Sequence, residues 1–284
     1  MMPTLPHLPI ELQEEIFRLA ARESNSTAGT LIQVSQWVRR WIEPILYEIV
    51  VVKNDNNATS FSYPTHIENR SDKIIDFFAQ HGHHVLCLSI DPLKPQQEIV
   101  DILKLCPSLK NVMMPVDPSP MIETIQEHLI NLERLSWPID NLHPSMITSK
   151  PAYQRLTHLD MVGECLWGVW STFLTQLPSL THLALDEMYD DEDPMVLGCL
   201  KNCGKLEAVL LISENHRLVE VCQENSKDTR GTEVDERIVI ITVRAQSDNW
   251  LGGVRGGLDM WSLADRVIED RRKQRQTERS PEKL

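Results

Sequence analysis

The feature that most constrains this chain is a repeat. The pattern apolar-x-x-apolar-x-apolar occurs as Val85-Leu86-Cys87-Leu88-Ser89-Ile90, Leu109-Lys110-Asn111-Val112-Met113-Met114 and Leu132-Glu133-Arg134-Leu135-Ser136-Trp137. It returns as Leu156-Thr157-His158-Leu159-Asp160-Met161, Leu180-Thr181-His182-Leu183-Ala184-Leu185 and Leu206-Glu207-Ala208-Val209-Leu210-Leu211. The first residues lie 24, 23, 24, 24 and 26 positions apart. Such a pattern joins a turn to a short strand whose alternate side chains enter one core. A single unit cannot bury its apolar side, so the units must stack.

Helix-like stretches lie between the strands: Glu98 to Leu105, Pro120 to Leu129, Trp167 to Leu177 and Met195 to Leu200. In the third, Trp170, Phe173, Leu174 and Leu177 form an apolar helical stripe. Cys106-Pro107-Ser108 and Pro178-Ser179 supply helix-stopping chemistry before the strands. The expected class is α/β, a leucine-rich-repeat solenoid with parallel strands on one face and helices on the other. Towards the ends the period drifts. Ile238 to Val243 is a good buried strand but starts 32 residues after Leu206. Ile49 to Val52 is a β-branched run that could begin the sheet, followed by a loop expected over Asn54 to Asn69. A further helix is expected around Leu218 to Cys222.

Charge and composition exclude several functions. Lys plus Arg number 28 and Asp plus Glu 41, a formal charge of −13, which argues against a nucleic-acid partner. No apolar run reaches the roughly 18 residues of a membrane span, and no membrane partner is expected. The opening Met1-Met2-Pro3-Thr4-Leu5-Pro6 lacks a basic n-region and Glu11 follows, so no secretory signal is expected. The expected location is cytoplasmic and/or nuclear. The six cysteines contain no CxxC pair, and thiols are expected. Cys199 and Cys203 lack two further zinc ligands at suitable spacing, so no metal and no cofactor is expected.

Residues 9 to 22 read as a helix, with Leu12, Ile16, Leu19 and Ala20 as its apolar stripe. Ser24 to Thr27 breaks the chain, and a second helical pattern carries Leu31, Val34, Val38, Trp41 and Ile42 until Pro44 interrupts it. Leu8-Pro9-Ile10-Glu11-Leu12, Ile16-Phe17, Val34-Ser35 and Val38-Arg39-Arg40-Trp41-Ile42-Glu43-Pro44-Ile45-Leu46-Tyr47 together resemble the start of fungal F-box proteins that continue into leucine-rich repeats. The resemblance implies an F-box-like motif over 5–47, a solenoid with a C-terminal cap over 48–268, and a disordered charged tail over 269–284. It also implies a substrate-recognition adaptor of a Skp–cullin–F-box ubiquitin ligase, whose partners are a Skp-family adaptor of a cullin–RING ligase and an unknown protein substrate. By motif position the docking residues are Leu8, Pro9, Leu12, Ile16, Val34, Ser35 and Pro44. The same residues could instead only pack the solenoid's N-terminal cap. The alternative function is a free-standing leucine-rich-repeat interaction scaffold with a vestigial F-box, because Ser24 to Thr30 lacks the acidic and leucine residues that open a typical second helix.

No enzyme is expected, and no catalytic residue is assigned. Gly252-Gly253-Val254-Arg255-Gly256-Gly257 lacks the ending of a P-loop and the spacing of a dinucleotide fingerprint, and reads as a flexible loop. The acidic run Asp186 to Asp193 follows the best repeat strand, and Asp190, Asp191, Glu192 and Asp193 are a possible substrate rim. Thr157, His158, Thr181 and His182 are expected to face outward and could contact substrate. Trp261, Ala264, Val267 and Ile268 suggest a last amphipathic helix over the final repeat.

Overall fold

The computed structural model describes residues 8–52, 65–67, 71–90, 94–139, 151–163, 170, 173–185, 194–212, 235–243 and 246–279. The chain divides into two compact units, Met1–Leu109 and Lys110–Leu284. The class is α/β, with parallel strands and helices in both units.

The first unit opens with three helices, α1 (Ile10–Glu23), α2 (Asn25–Leu31) and α3 (Gln36–Leu46). Pro9 precedes α1, with Glu11 in its first turn and Arg22 in its last, the polarity that a helix dipole favours. The single second helix expected from the sequence is two. Ser24 Oγ accepts the Thr27 N–H at 3.0 Å to start α2, and Ser35 Oγ accepts the Val38 N–H at 3.2 Å to start α3. Nor does Pro44 end the second: α3 continues to Leu46 because Ile42 and Ile45, on either side of it, are both buried. That packing outweighs the one backbone bond a proline removes. Ala21, Ala28, Val38, Ile42 and Ile45 form the core of the three helices.

From α3 the chain enters β1 (Ile49–Val52), and the Glu48 carbonyl accepts both the Leu86 and the Cys87 N–H at 2.9 Å. Strand β1 is buried along its whole length and pairs in parallel with β2 (Thr65–Ile67) and β3 (Cys87–Ile90). Strand β2 lies inside the span expected as a loop, since its backbone groups complete the free edge of β1. Helices α4 (Ser71–His81) and α5 (Gln96–Leu105) complete this unit.

The second unit is a ladder of six parallel strands in chain order: β4 (Asn111–Met113), β5 (Arg134–Pro138), β6 (His158–Val162), β7 (His182–Leu185), β8 (Ala208–Ile212) and β9 (Ile238–Ile241). It does not close on itself. Helices α6 (Ile122–His128) and α7 (Pro194–Asn202) lie between strands in sequence, as expected. Trp170, Phe173, Leu174 and Leu177 are buried. The repeat has a backbone cause. The N–H groups of Leu132, Leu156, Leu180 and Leu206 each bond the carbonyl three residues earlier, closing a turn, and all four side chains are buried. The next two residues share an acceptor: Glu133 and Arg134 on Lys110, Thr157 and His158 on Glu133, Thr181 and His182 on Thr157.

Register sorts the two sheet faces. Leu135, Leu159, Leu183 and Val209 align on one face; Ser136, Asp160, Ala184 and Leu210 align on the other. The second face is not left open, against the expectation that helices keep to one side. Helices α8 (Gln246–Val254) and α9 (Met260–Arg279) cover it. Strands β8 and β9 are apolar at successive positions because both of their faces are covered. The tail expected to be disordered from residue 269 is helical to Arg279. Arg271 donates to the Glu236 and Ile238 carbonyls, and Arg272 and Arg275 pair with the Glu236 carboxylate. The acidic run Asp186 to Asp193, the segment Leu218 to Cys222 and residues 280–284 lie outside the described residues.

Candidate functional site

Two surfaces stand out, one in each unit. In the first unit, α1 carries apolar residues on two faces. Ala21 is buried and Phe17 half-buried against the three-helix core, with the Phe17 and Trp41 rings 6.2 Å apart. Leu12, Ile16 and Leu19, of the apolar stripe read from the sequence, point to solvent at 51%, 53% and 58% exposure. Leu8, just ahead of α1, is exposed as well. Val34, in the turn between α2 and α3, and Trp37, in the first turn of α3, are also exposed, and the Arg40 guanidinium lies 5.4 Å from the Trp37 ring centre.

Each docking residue expected from the motif can now be placed. Leu8, Pro9, Leu12, Ile16 and Val34 are exposed. Ser35 is exposed and caps α3, while Pro44 is half-buried within α3. Packing of an N-terminal cap does not account for the four exposed apolar ones. Leu19, three residues after Ile16, and Trp37 are exposed as well and were not among the sequence candidates. Ile10 is exposed too, but it lies seven residues before Phe17, on the side of α1 that faces the core. Trp37 follows the Val34-Ser35 pair by one helical step and could have been found there.

In the second unit, the face of β4, β5 and β6 under α8 is polar. Asp160 is buried, and its Oδ2 accepts the Ser136 hydroxyl at 2.7 Å and the Gln246 side-chain amide from α8. Trp250, one turn along α8, donates its indole N–H to Asn111 Oδ1 at 2.7 Å. Arg134 pairs with Asp259 at 3.2 Å, and Asp259 also accepts the Ser262 N–H to cap α9. The cavity left among these groups is about 20 Å³. That is room for one water molecule.

Beside it the rings of His158 and His182 stack in parallel with centres 4.3 Å apart, and the edge of Trp261 meets both. The Thr157 hydroxyl donates to the Glu133 carbonyl, leaving its oxygen to accept from His158 Nδ1 at 2.8 Å. His182 Nε2 donates to Asp265 at 2.9 Å. Burial, with Arg134 and His182 adding to it, pushes the His158 pKa down to about 2. Of the four residues expected to face outward, His158 and His182 thus contact the chain's own α9, while the Thr157 and Thr181 hydroxyls bond the Glu133 and Thr157 carbonyls. Arg134, Ser136 and Asp160, which were not among the sequence candidates, carried a usable signal. Arg134, His158 and His182 recur at a spacing of 24, as do Ser136 and Asp160, which makes each a lateral neighbour of the next. Asp190, Asp191, Glu192 and Asp193 lie outside the described residues.

The glycine tract is a defined turn and not a flexible loop. Gly256 N–H bonds the Gly253 carbonyl and Gly257 N–H the Gly252 carbonyl, with Gly256 at φ 76°. A side chain at Gly253 would collide with Asp259, so the tract lets α8 and the start of α9 approach closely. Among the described residues no three His, Cys, Asp or Glu side chains converge in a metal-binding group. No described helix is long and apolar enough to cross a membrane.

No family model matches the sequence, and no curated protein matches it. Among solved structures, a rubisco-like protein from Burkholderia fungorum is similar at 12% identity and a TM-score of 0.31, over 88% of this chain and 69% of that one. A likeness at that score carries no argument about this chain's activity. The expectation that the chain is not an enzyme does not stand: nothing found speaks for or against catalysis.

Proposed function

We propose that the chain is an F-box-like, leucine-rich-repeat adaptor of a Skp–cullin–F-box ubiquitin ligase. Helices α1 and α3 dock on a Skp-family adaptor, and the repeat strands present a surface to a protein substrate. One observation carries the reading. Of eleven exposed large apolar side chains among the described residues, seven (Leu8, Ile10, Leu12, Ile16, Leu19, Val34 and Trp37) fall within residues 8–37. Apolar surface concentrated on one helix pair is what helix-mediated docking requires. The spacing of the repeats and their shared-carbonyl ladder support the solenoid half of the reading.

A pull-down with a purified Skp-family adaptor tests it. Wild type is expected to bind. Leu8→Ala/Pro9→Ala and Ile16→Ala are expected to lose binding with an unchanged melting temperature, since these side chains face solvent. Absence of binding by well-folded wild type would favour the second reading, a free-standing leucine-rich-repeat scaffold with a vestigial F-box. That reading draws on α2, which has seven residues and no acidic residue in its first turn.

A further inference from the structure

The second unit's C-terminal helices hold the sheet in two different ways. Met260, Trp261, Ala264 and Ile268 of α9 pack into an apolar cluster with Leu210 and Val239. Burial of that kind is non-directional and cannot be exchanged for water without loss. Helix α8 has no buried residue. It is held on the sheet by Gln246, bonded to Asp160 and Ser136, and by Trp250 on Asn111, and it is tied to α9 by Asn249 Oδ1, which accepts the Met260 N–H at 3.2 Å. Polar contacts of this sort trade against water or another partner at little net cost. The turn from Gly252 to Gly257 joins this weakly held helix to the firmly held one.

We infer that α8 is a displaceable cover occupying, in cis, a binding face formed by Asn111, Ser136 and Asp160. The partner is a helical segment of another protein that presents a side-chain donor one turn ahead of a tryptophan. The inference rests on the reading of the strands as a partner-binding surface. The chemistry of the occupant follows from what α8 now offers: an amide donor to a buried carboxylate and, four residues on, an indole N–H to an amide oxygen. Arginine in place of the amide would convert the first contact into a charge-assisted one. While α8 stays down, only the open fraction of molecules binds, and the apparent affinity falls by that fraction.

The test uses the full chain and a labelled peptide of residues 246–257. Gln246→Ala/Trp250→Ala in the protein removes both side-chain anchors of α8 on the sheet and no buried side chain, and leaves the Asn249 bond that ties α8 to α9. This uncovered protein is expected to bind the peptide at least about tenfold more tightly than wild type does. The peptide with Gln246→Arg is expected to bind more tightly still, and the peptide with Trp250→Ala not at all. In wild type, hydrogen exchange is expected to be faster in α8 than in α9 residues 260–268. Equal peptide binding by the two proteins, or by neither, would overturn the inference. So would α8 amides protected to the level of α9. No residue of α1 or α3 enters these readouts, so a failed adaptor pull-down and a failed cover are told apart.

Discussion

Gly82 lies in the turn between α4 and β3, and a Cβ there would stand 2.2 Å from the Leu105 carbonyl oxygen. Backbone cannot swing aside as a side chain can. Gly82→Ala is therefore expected to destabilise by about 1–3 kcal/mol, as overpacking does, with the loss read in urea denaturation. Gly204 has nothing within 4 Å of the same position. Its alanine variant is expected to stay within about 0.5 kcal/mol of wild type. His158 gives a residue-scale pH effect. Its folded pKa lies far below the ordinary value of 6.5, so the unfolded chain takes up a proton the folded chain refuses. Stability is then full above pH 6.5 and lost as pH falls through the window towards 2. The ring retains some exposure, so the loss between about pH 7 and pH 5 is expected to be on the order of 1 kcal/mol. His158→Gln should flatten the wild-type fall in melting temperature over that range; equal slopes would refute it.

At the scale of the element, what was legible in the sequence depended on whether one face or two decided the side chain. The first leucine of each repeat was legible because its turn and its burial coincide, as at Leu156 and Leu180. The α1 stripe was legible as one face, but period alone does not report which way a face points, so docking and cap packing both stayed open. Ala21 is small, yet it and Phe17 take the inward side and leave Leu12 and Ile16 outside. The division between α2 and α3 was lost for a related reason. Val34 and Val38 fit one helical period, but the Ser35 hydroxyl bonds the Val38 N–H and starts a new helix. That bond gives a prediction that separates positioning from contact. Ser35→Ala should cost about 1 kcal/mol of stability through loss of the cap. Leu12→Ala, on the solvent face, should stay within about 0.5 kcal/mol. Thermal melts of the two variants decide it, and a cap loss no larger than the surface change would count against the assigned role of Ser35.

Across the molecule, the candidate docking surface was visible in the sequence as a motif, whereas the covered sheet face was not. Ser136, Asp160 and His182 look like outward positions of a repeat when each strand is read alone. Their partners Gln246 and Asp265 are 86 and 83 residues away from Asp160 and His182. Only apolar residues at adjoining positions, such as Ala208 to Ile212 and Ile238 to Ile241, hint at a second covered face. The two helices on that face should fail differently when altered. Trp261 is 8% exposed and packs on β8 and β9 as well as on the stacked histidines. Trp261→Ala is therefore expected to cost about 3–5 kcal/mol, as large-to-small changes at buried tryptophans do. Deleting residues 260–284 would expose Ala208, Leu210, Val239 and Ile241 together, and that contiguous apolar patch should drive aggregation. Gln246→Ala/Trp250→Ala exposes polar groups instead, and should remain monodisperse with a melting temperature near wild type. Light scattering and thermal melts on the three proteins check the ordering. Aggregation of the Gln246/Trp250 variant to the same extent as the truncation would mean that α8 and α9 hold the sheet as one body.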